Sequence, residues 1–385
     1  MSAKLSIAID GNEANVAFRV GSNVYAHSLL EAMHAIQSPK IEYTVLLAEK
    51  PQGHMPAARP GWKYQVIGPK LYWTQWALPK HLFASKYAAF FTPSHYAPRF
   101  SPVPYISSVM DVSYLTHPAE FHWRDRVQLS AWTKYSVANA ARVLCISEET
   151  RNNVITHYHK TPDTTFAAYP GKSALKPIAS SQLHRWLKKH AVEEPYFVHV
   201  GTLQPRKRIH HIIAAHELLL DSLTHPKSGS YRAGKLELPH LLLIGKVGWL
   251  AESIVAKARA SRWADKIHLP GFVTDEEKAA VIARAVALIA LGEGEGFGIP
   301  VLEAMQLKTI PIVAETGSLP EVVGDAGMLV LPNNSEELSK AMTTLLQLPK
   351  ADYNKLAKRG VQQAEQFSWQ KSAKIVQAQL LDISS

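Results

Sequence analysis

A single cysteine, Cys145, stands in 385 residues. An intrachain disulfide is therefore excluded, and so is a zinc site built on cysteines. Its setting, Val143-Leu144-Cys145-Ile146, is that of a buried, inert thiol rather than a nucleophile. Long apolar runs are missing as well. The longest candidate, Ala279 to Leu291, is interrupted by Arg284 and falls short of the ~20 residues needed to cross a bilayer. The apolar stretch in the opening MSAKLSIAID is too short for a secretory signal, so a cytoplasmic location is expected. The net charge is +10, yet no dense basic block carries it. Residues 1–172 hold 17 Lys+Arg against 11 Asp+Glu, and the remainder 25 against 21. Without a basic arm, nucleic acid is not an expected partner. The 18 histidines show no His-Glu-x-x-His spacing, and no Asp-x-Asp pair occurs.

What is present is ample apolar material: 46 % hydrophobic residues against 19 % charged. At roughly 150 residues per domain, the length suggests two domains. Short apolar runs alternate with amphipathic stretches. The spacing predicts strands over 5–10, 43–47, 64–67, 88–91, 105–109, 142–146 and 165–168. A second series follows over 196–200, 240–244, 267–269, 286–290, 309–313 and 328–330. Helical patterns lie between them, as over 23–35, 124–138, 148–158, 209–220 and 275–285. Ser147 and Asn23 are expected helix caps, Thr274 with Glu277 reads as a capping box, and Asn334 with Glu337 resembles one. Strands alternating with helices imply an α/β protein with parallel sheets covered on both faces. The series breaks near Gly171–Glu194, read as a linker with a first helix. Two such sheets suggest two Rossmann-like domains facing a cleft.

The richest segment runs from Leu291 through Gly292-Glu293-Gly294-Glu295-Gly296-Phe297-Gly298-Ile299-Pro300 to Glu303. It follows one predicted strand and opens a helix. Alternate glycines let backbone approach a ligand, and Pro300 suits a first helical turn. The amides of Phe297, Gly298 and Ile299 are then expected at a helix N-terminus, where anions bind. A dinucleotide fingerprint is the rival reading. Ile299 stands where its third glycine belongs, and Glu293 and Glu295 would repel a pyrophosphate. Glu295 and Glu303, seven residues apart, suit pairs of sugar or ribose hydroxyls, since carboxylates accept hydrogen bonds in pairs.

The run Glu295-Gly-Phe-Gly-Ile-Pro-Val-Leu-Glu303-Ala-Met resembles the E-x7-E signature of the retaining glycosyltransferases of family 4. Gly317-Ser318-Leu319-Pro320-Glu321, Gly201-Thr202-Leu203-Gln204-Pro205-Arg206-Lys207 and Ile244-Gly245-Lys246 are similar to the same family. So are Pro93-Ser94-His95, Ile146-Ser147-Glu148 and Tyr169-Pro170-Gly171 in the first half. The resemblance implies a GT-B fold with an acceptor domain over 1–175 and a donor domain over 176–365. It also implies a final helix, 366–385, that returns to the first domain, for which Ser368 is a suitable N-cap. It assigns Glu295 to the donor sugar, Glu303 to the ribose, Arg206 and Lys207 to the diphosphate, and Gly201, Gly296, Phe297, Gly298 and Ile299 to the substrate surface. Fixed cations aimed at a leaving diphosphate stabilise the transition state more than the ground state. Gly21 is assigned to the donor phosphates or the acceptor, or is a plain turn glycine.

One position departs from the family pattern. Where relatives carry His-Asp, this chain has Met110-Asp111. Methionine neither donates a hydrogen bond to a hydroxyl nor shuttles a proton. Asp111 either orients the acceptor hydroxyl or caps the next turn. The implied activity is metal-independent transfer of a sugar, mannose being the first choice, from a GDP-type donor to a glycan or lipid-linked acceptor. No cofactor is expected; the nucleotide-sugar is a substrate. The alternative is a catalytically impaired nucleotide- or glycan-binding protein. The stretch Lys70–Lys80, mixing aromatic and basic residues, reads as a helix packed by its tryptophans, with a membrane-surface contact as the alternative.

Overall fold

The structure, a computed structural model, describes residues 4–17, 19, 21–36, 38–224 and 237–384. The chain divides into two compact units, Met1–Gly171 with Phe367–Ser385, and Lys172–Gln366. The boundary has a local cause. Ser173 is already tied to the second unit, its N–H donating to Gln306 Oε1 at 3.2 Å and its carbonyl accepting from Gln306 Nε2 at 3.2 Å.

The first unit holds seven strands: β1 (Leu5–Asp10), β2 (Ile41–Leu47), β3 (Trp62–Val66), β4 (Ala89–Thr92), β5 (Tyr105–Val109), β6 (Arg142–Cys145) and β7 (Thr165–Ala167). All pair parallel, in the order β3-β2-β1-β4-β5-β6-β7. Strands such as Ala89-Phe90-Phe91-Thr92 are buried on both faces, hence their unbroken apolar character. Cys145 lies fully buried in this core, and burial pushes its thiol well above the ordinary range. The final helix, Trp369–Ile383, belongs to this unit. Its Trp369 meets Tyr25 edge-on at 5.5 Å between ring centroids, and Asp382 accepts from Arg142 Nη2 at 2.7 Å.

The second unit holds six strands: β8 (Tyr196–Val200), β9 (His240–Ile244), β10 (Ile267–Gly271), β11 (Ala287–Ala290), β12 (Ile310–Ala314) and β13 (Met328–Val330). These too are parallel, in the order β10-β9-β8-β11-β12-β13. Its core joins strand residues such as Phe197, Leu241 and Ile289 to helix residues such as Ile212, Leu219 and Met342. In each sheet the connections run one way on one side of a central pair and the other way on the other. The direction changes between β1 and β4, and between β8 and β11. Ligands of open α/β sheets bind outside the carboxyl ends of the strands at such a point.

Four helix starts are set by a capping side chain. Ser147 accepts from Thr150 N–H at 3.0 Å, Thr274 exchanges bonds with Glu277, and Asn334 accepts from Glu337 N–H at 3.1 Å. Ser368 accepts from Lys371 N–H at 3.4 Å. Asn23 is a correction. The helix begins at Ser22 with Gly21 in the cap position at φ 49°, and the Asn23 amide instead donates to Glu13 Oε1 at 2.8 Å. The Lys70–Lys80 stretch also differs from one packed helix. Trp73–Ala77 forms a π turn before the helix Leu78–Ala84; Trp73 donates to buried Asp10 at 3.0 Å, while Trp76 is 54 % exposed.

Candidate active site

The β8–β11 ladder pairs Phe197 with Ala287 and Val198 with Leu288. Above it the two strands feed the loops 201–208 and 291–298. The loops are stitched together: Glu293 N–H donates to the Arg206 carbonyl at 3.1 Å. Lys207 pairs with Glu295, and Arg208 with Glu293. Asn333 donates to the other Glu293 oxygen at 3.1 Å. The carboxylates that would have repelled a pyrophosphate therefore do not stand bare, and the repulsion expected from the sequence is offset by neighbouring cations.

Glu295 is 15 % exposed, as is Lys207. Burial pushes the Glu295 carboxyl up, but Lys207 and Arg206 outweigh it and hold its pKa at about 2. Its backbone carbonyl accepts from Ser318 Oγ at 2.7 Å, which ties the loop to the Gly317-Ser318 turn. Gly292 makes room for this carboxylate: a Cβ there would lie 2.3 Å from Glu295 Oε1. Gly298 sits at φ 95° and caps the helix Ile299–Gln306, with Pro300 in its first turn. A side chain at Gly298 would meet Leu319 at 2.6 Å as well as straining the backbone. Gly296 and Phe297 are buried members of the loop, and Gly201 follows β8 beside Lys207.

Glu303 lies one turn into the same helix and is 3 % exposed. Its Oε1 accepts from Lys278 Nζ at 2.9 Å and from Ser173 Oγ at 3.3 Å, while Oε2 is buried with no hydrogen-bond partner. Burial pushes the Glu303 carboxyl up, and Lys278 pulls against it. Arg206 donates through Nε to Gln204 at 3.1 Å, but its Nη1 is buried and unpartnered. A buried polar atom left unpaired costs about 1–3 kcal/mol, and these two residues hold one donor and one acceptor of that kind. Lys278 and Ser173 were not read from the sequence. Their partner is 25 residues from one and 130 from the other, and only the packing of helices on the sheet brings them together.

Gly21 and Asp111 belong to the first unit. Asp111 Oδ1 accepts from the Ser113 N–H at 3.0 Å and from its hydroxyl at 2.6 Å, so it caps the turn at Ser113. Met110 is 8 % exposed, and its N–H donates to His95 Nε2 at 3.3 Å.

Two parallel sheets of this order, each in its own unit, are the GT-B fold. The chain is similar over 98 % of its length to 98 % of sucrose-phosphate synthase from Thermosynechococcus elongatus, with a TM-score of 0.73 and 20 % identity. The O-antigen chain mannosyltransferase B of Escherichia coli is 30 % identical over 274 residues, 69 % of this chain and 67 % of that protein. The MMP alpha-(1->4)-mannosyltransferase of Mycolicibacterium hassiacum is 36 % identical over 126 residues, 32 % of this chain and 30 % of that protein. Residues 181–366 match the family described as Glycosyl transferases group 1. The chain belongs to that family, and it is a glycosyltransferase that draws its sugar from a nucleotide-sugar donor.

Proposed function

We propose that the protein transfers mannose from GDP-mannose to a hydroxyl of a glycan or lipid-linked acceptor, with retention and without a metal ion. The observation that carries the reading is that Arg206 Nη1, beside the Lys207–Glu295 pair, and Glu303 Oε2, one turn into the helix that follows, are both buried without a partner. Arg206 and Lys207 supply fixed positive charge for a diphosphate. Glu303, with one oxygen committed to Lys278, offers the other to a ribose hydroxyl. Glu295, held ionised, accepts from the sugar hydroxyls. The choice of mannose rests on the relatives named as mannosyltransferases.

In the transfer, the bond between the anomeric carbon and the diphosphate oxygen breaks as the acceptor oxygen bonds to that carbon on the same face. The acceptor's proton passes to the leaving phosphate oxygen. Charge grows on the diphosphate, so Lys207 acts most in the transition state. Lys207→Ala is expected to lower kcat about 10²–10³-fold, a loss larger than the destabilisation from leaving Glu295 unpaired accounts for. Glu303→Gln is expected to weaken GDP binding about tenfold or more while leaving the melting temperature near wild type. Wild-type kinetics in both variants would reject the assignment.

A lipid surface on the acceptor side is part of this reading. The first unit exposes Trp76, Phe83, Phe100 and Trp123. Cations stand over two of them, Lys80 at 4.8 Å from Trp76 and Arg124 at 5.4 Å from Trp123. Exposed aromatics with cations suit an anionic bilayer interface. Among the described residues no helix is long and apolar enough to cross a membrane. Flotation with vesicles containing phosphatidylglycerol, reduced in a Trp76→Ser/Lys80→Ser double variant, is expected; equal flotation of both proteins would count against this face.

A further inference from the structure

We propose that His199 is a positioning residue, whose Nε2 lone pair is a second seat for the Lys207 ammonium and aims that cation at the donor diphosphate. The inference rests on the donor-site reading above.

His199 stands among aromatic and aliphatic side chains in the strand Tyr196–Val200, and it is 2 % exposed. Its Nδ1 lies 2.9 Å from the Ile289 carbonyl on the neighbouring strand. A carbonyl only accepts, so Nδ1 carries the proton and Nε2 presents a bare lone pair. That nitrogen is buried and has no partner. A bare ring nitrogen alone means little, since His216 has one too, at Nδ1. His199 differs in where the nitrogen points. A Cβ placed on Gly201 would lie 3.5 Å from His199 Nε2 and 3.9 Å from Lys207 Cε, so ring and lysine share one small space at the fork of β8 and β11.

Chemistry favours the same pairing. An ammonium has three N–H donors. Glu295 takes one, and a diphosphate takes another. An acceptor at Nε2 adds a fixed point that sets the lysine's direction. The seat works only while the imidazole is neutral. Burial lowers the His199 pKa to about 4, and the Lys207 charge adds to this, so the ring is neutral across the physiological range.

Two substitutions separate this role from that of a structural strut. His199→Asn keeps a donor near the Nδ1 position for Ile289 but has nothing at Nε2. His199→Gln reaches the Nε2 position with an amide oxygen but loses the Ile289 bond. With GDP-mannose as donor, His199→Asn is expected to lower kcat about tenfold or more with KM little changed, and His199→Gln to stay within about threefold of wild type. A wild-type-like Asn variant beside an impaired Gln variant would overturn the proposal. Nitrogen NMR of the histidines in the wild-type protein gives a check that needs no variant. On adding GDP, the His199 Nε2 resonance is expected to move from the value of a bare lone pair to that of a hydrogen-bonded one; an unchanged resonance at saturating GDP would overturn the proposal. Lys207→Ala is run in the same assay. If that variant keeps full activity, the donor-site reading fails, whatever His199 does.

Discussion

At the scale of single residues, the site consists of charges that are costly to bury alone and tolerable together. Glu295 remains ionised in a largely buried place because Lys207 and Arg206 stand beside it. Gly292 is part of the same arrangement, since any side chain there collides with the carboxylate. Gly292→Ala is therefore expected to lower kcat/KM about 10–100-fold, the loss typical of a misplaced catalytic group. Its melting temperature should shift by only a few degrees, and steady-state kinetics with a thermal melt check both. The two glutamates were legible in the sequence because they share one loop and helix start, so spacing alone relates them. His199 left a weaker trace, a histidine among aromatic and aliphatic residues near the end of a strand. Lys278 left none, because nothing local distinguishes a helix-surface lysine that will meet a buried acid.

At the scale of elements, parallel strands buried on both faces announce themselves as apolar runs, and all the expected strands exist. Their ends drifted by one or two residues, since pairing depends on the backbone and not on where the apolar run stops. Ile41-Glu42 precedes the apolar part of β2, and Pro270-Gly271 extends β10. Caps were legible where a hydroxyl or amide directly precedes the helix, as at Ser147 and Thr274. The Asn23 expectation failed because Gly21 adopts a positive φ and starts the helix at Ser22, freeing the asparagine amide for Glu13. The π turn Trp73–Ala77 was not legible either. Its cause is tertiary, the bond from Trp73 to Asp10 across 63 residues, and it divides two tryptophans that looked equivalent.

At the scale of the whole molecule, burial of neutral histidines couples stability to pH. Burial lowers the pKa of His199, His216 and His240 to about 4, with Lys207 adding to the effect at His199 and Lys266 at His240. The unfolded chain, with ordinary histidine values near 6.5, binds more protons between these limits. Their contribution is thus full above about pH 6.5 and is lost as the pH falls towards 4. His216, which donates to the Pro239 carbonyl at 2.8 Å, accounts for up to about 3 kcal/mol of it. Urea unfolding at pH 5 and 7.5 is expected to show lower stability at pH 5, and His216→Gln to flatten the difference; a protein equally stable at both would contradict this. Function is a property of the same scale, since a transferase must bind a donor and deliver its sugar. The most direct test is GDP release and labelled-sugar transfer from GDP-mannose, beside UDP- and ADP-sugars, with cell-envelope acceptors and a metal chelator present. The account predicts saturable, chelator-resistant turnover of GDP-mannose that Lys207→Ala slows about 10²–10³-fold. Binding of GDP-mannose with no turnover, or turnover indifferent to Lys207, would contradict it.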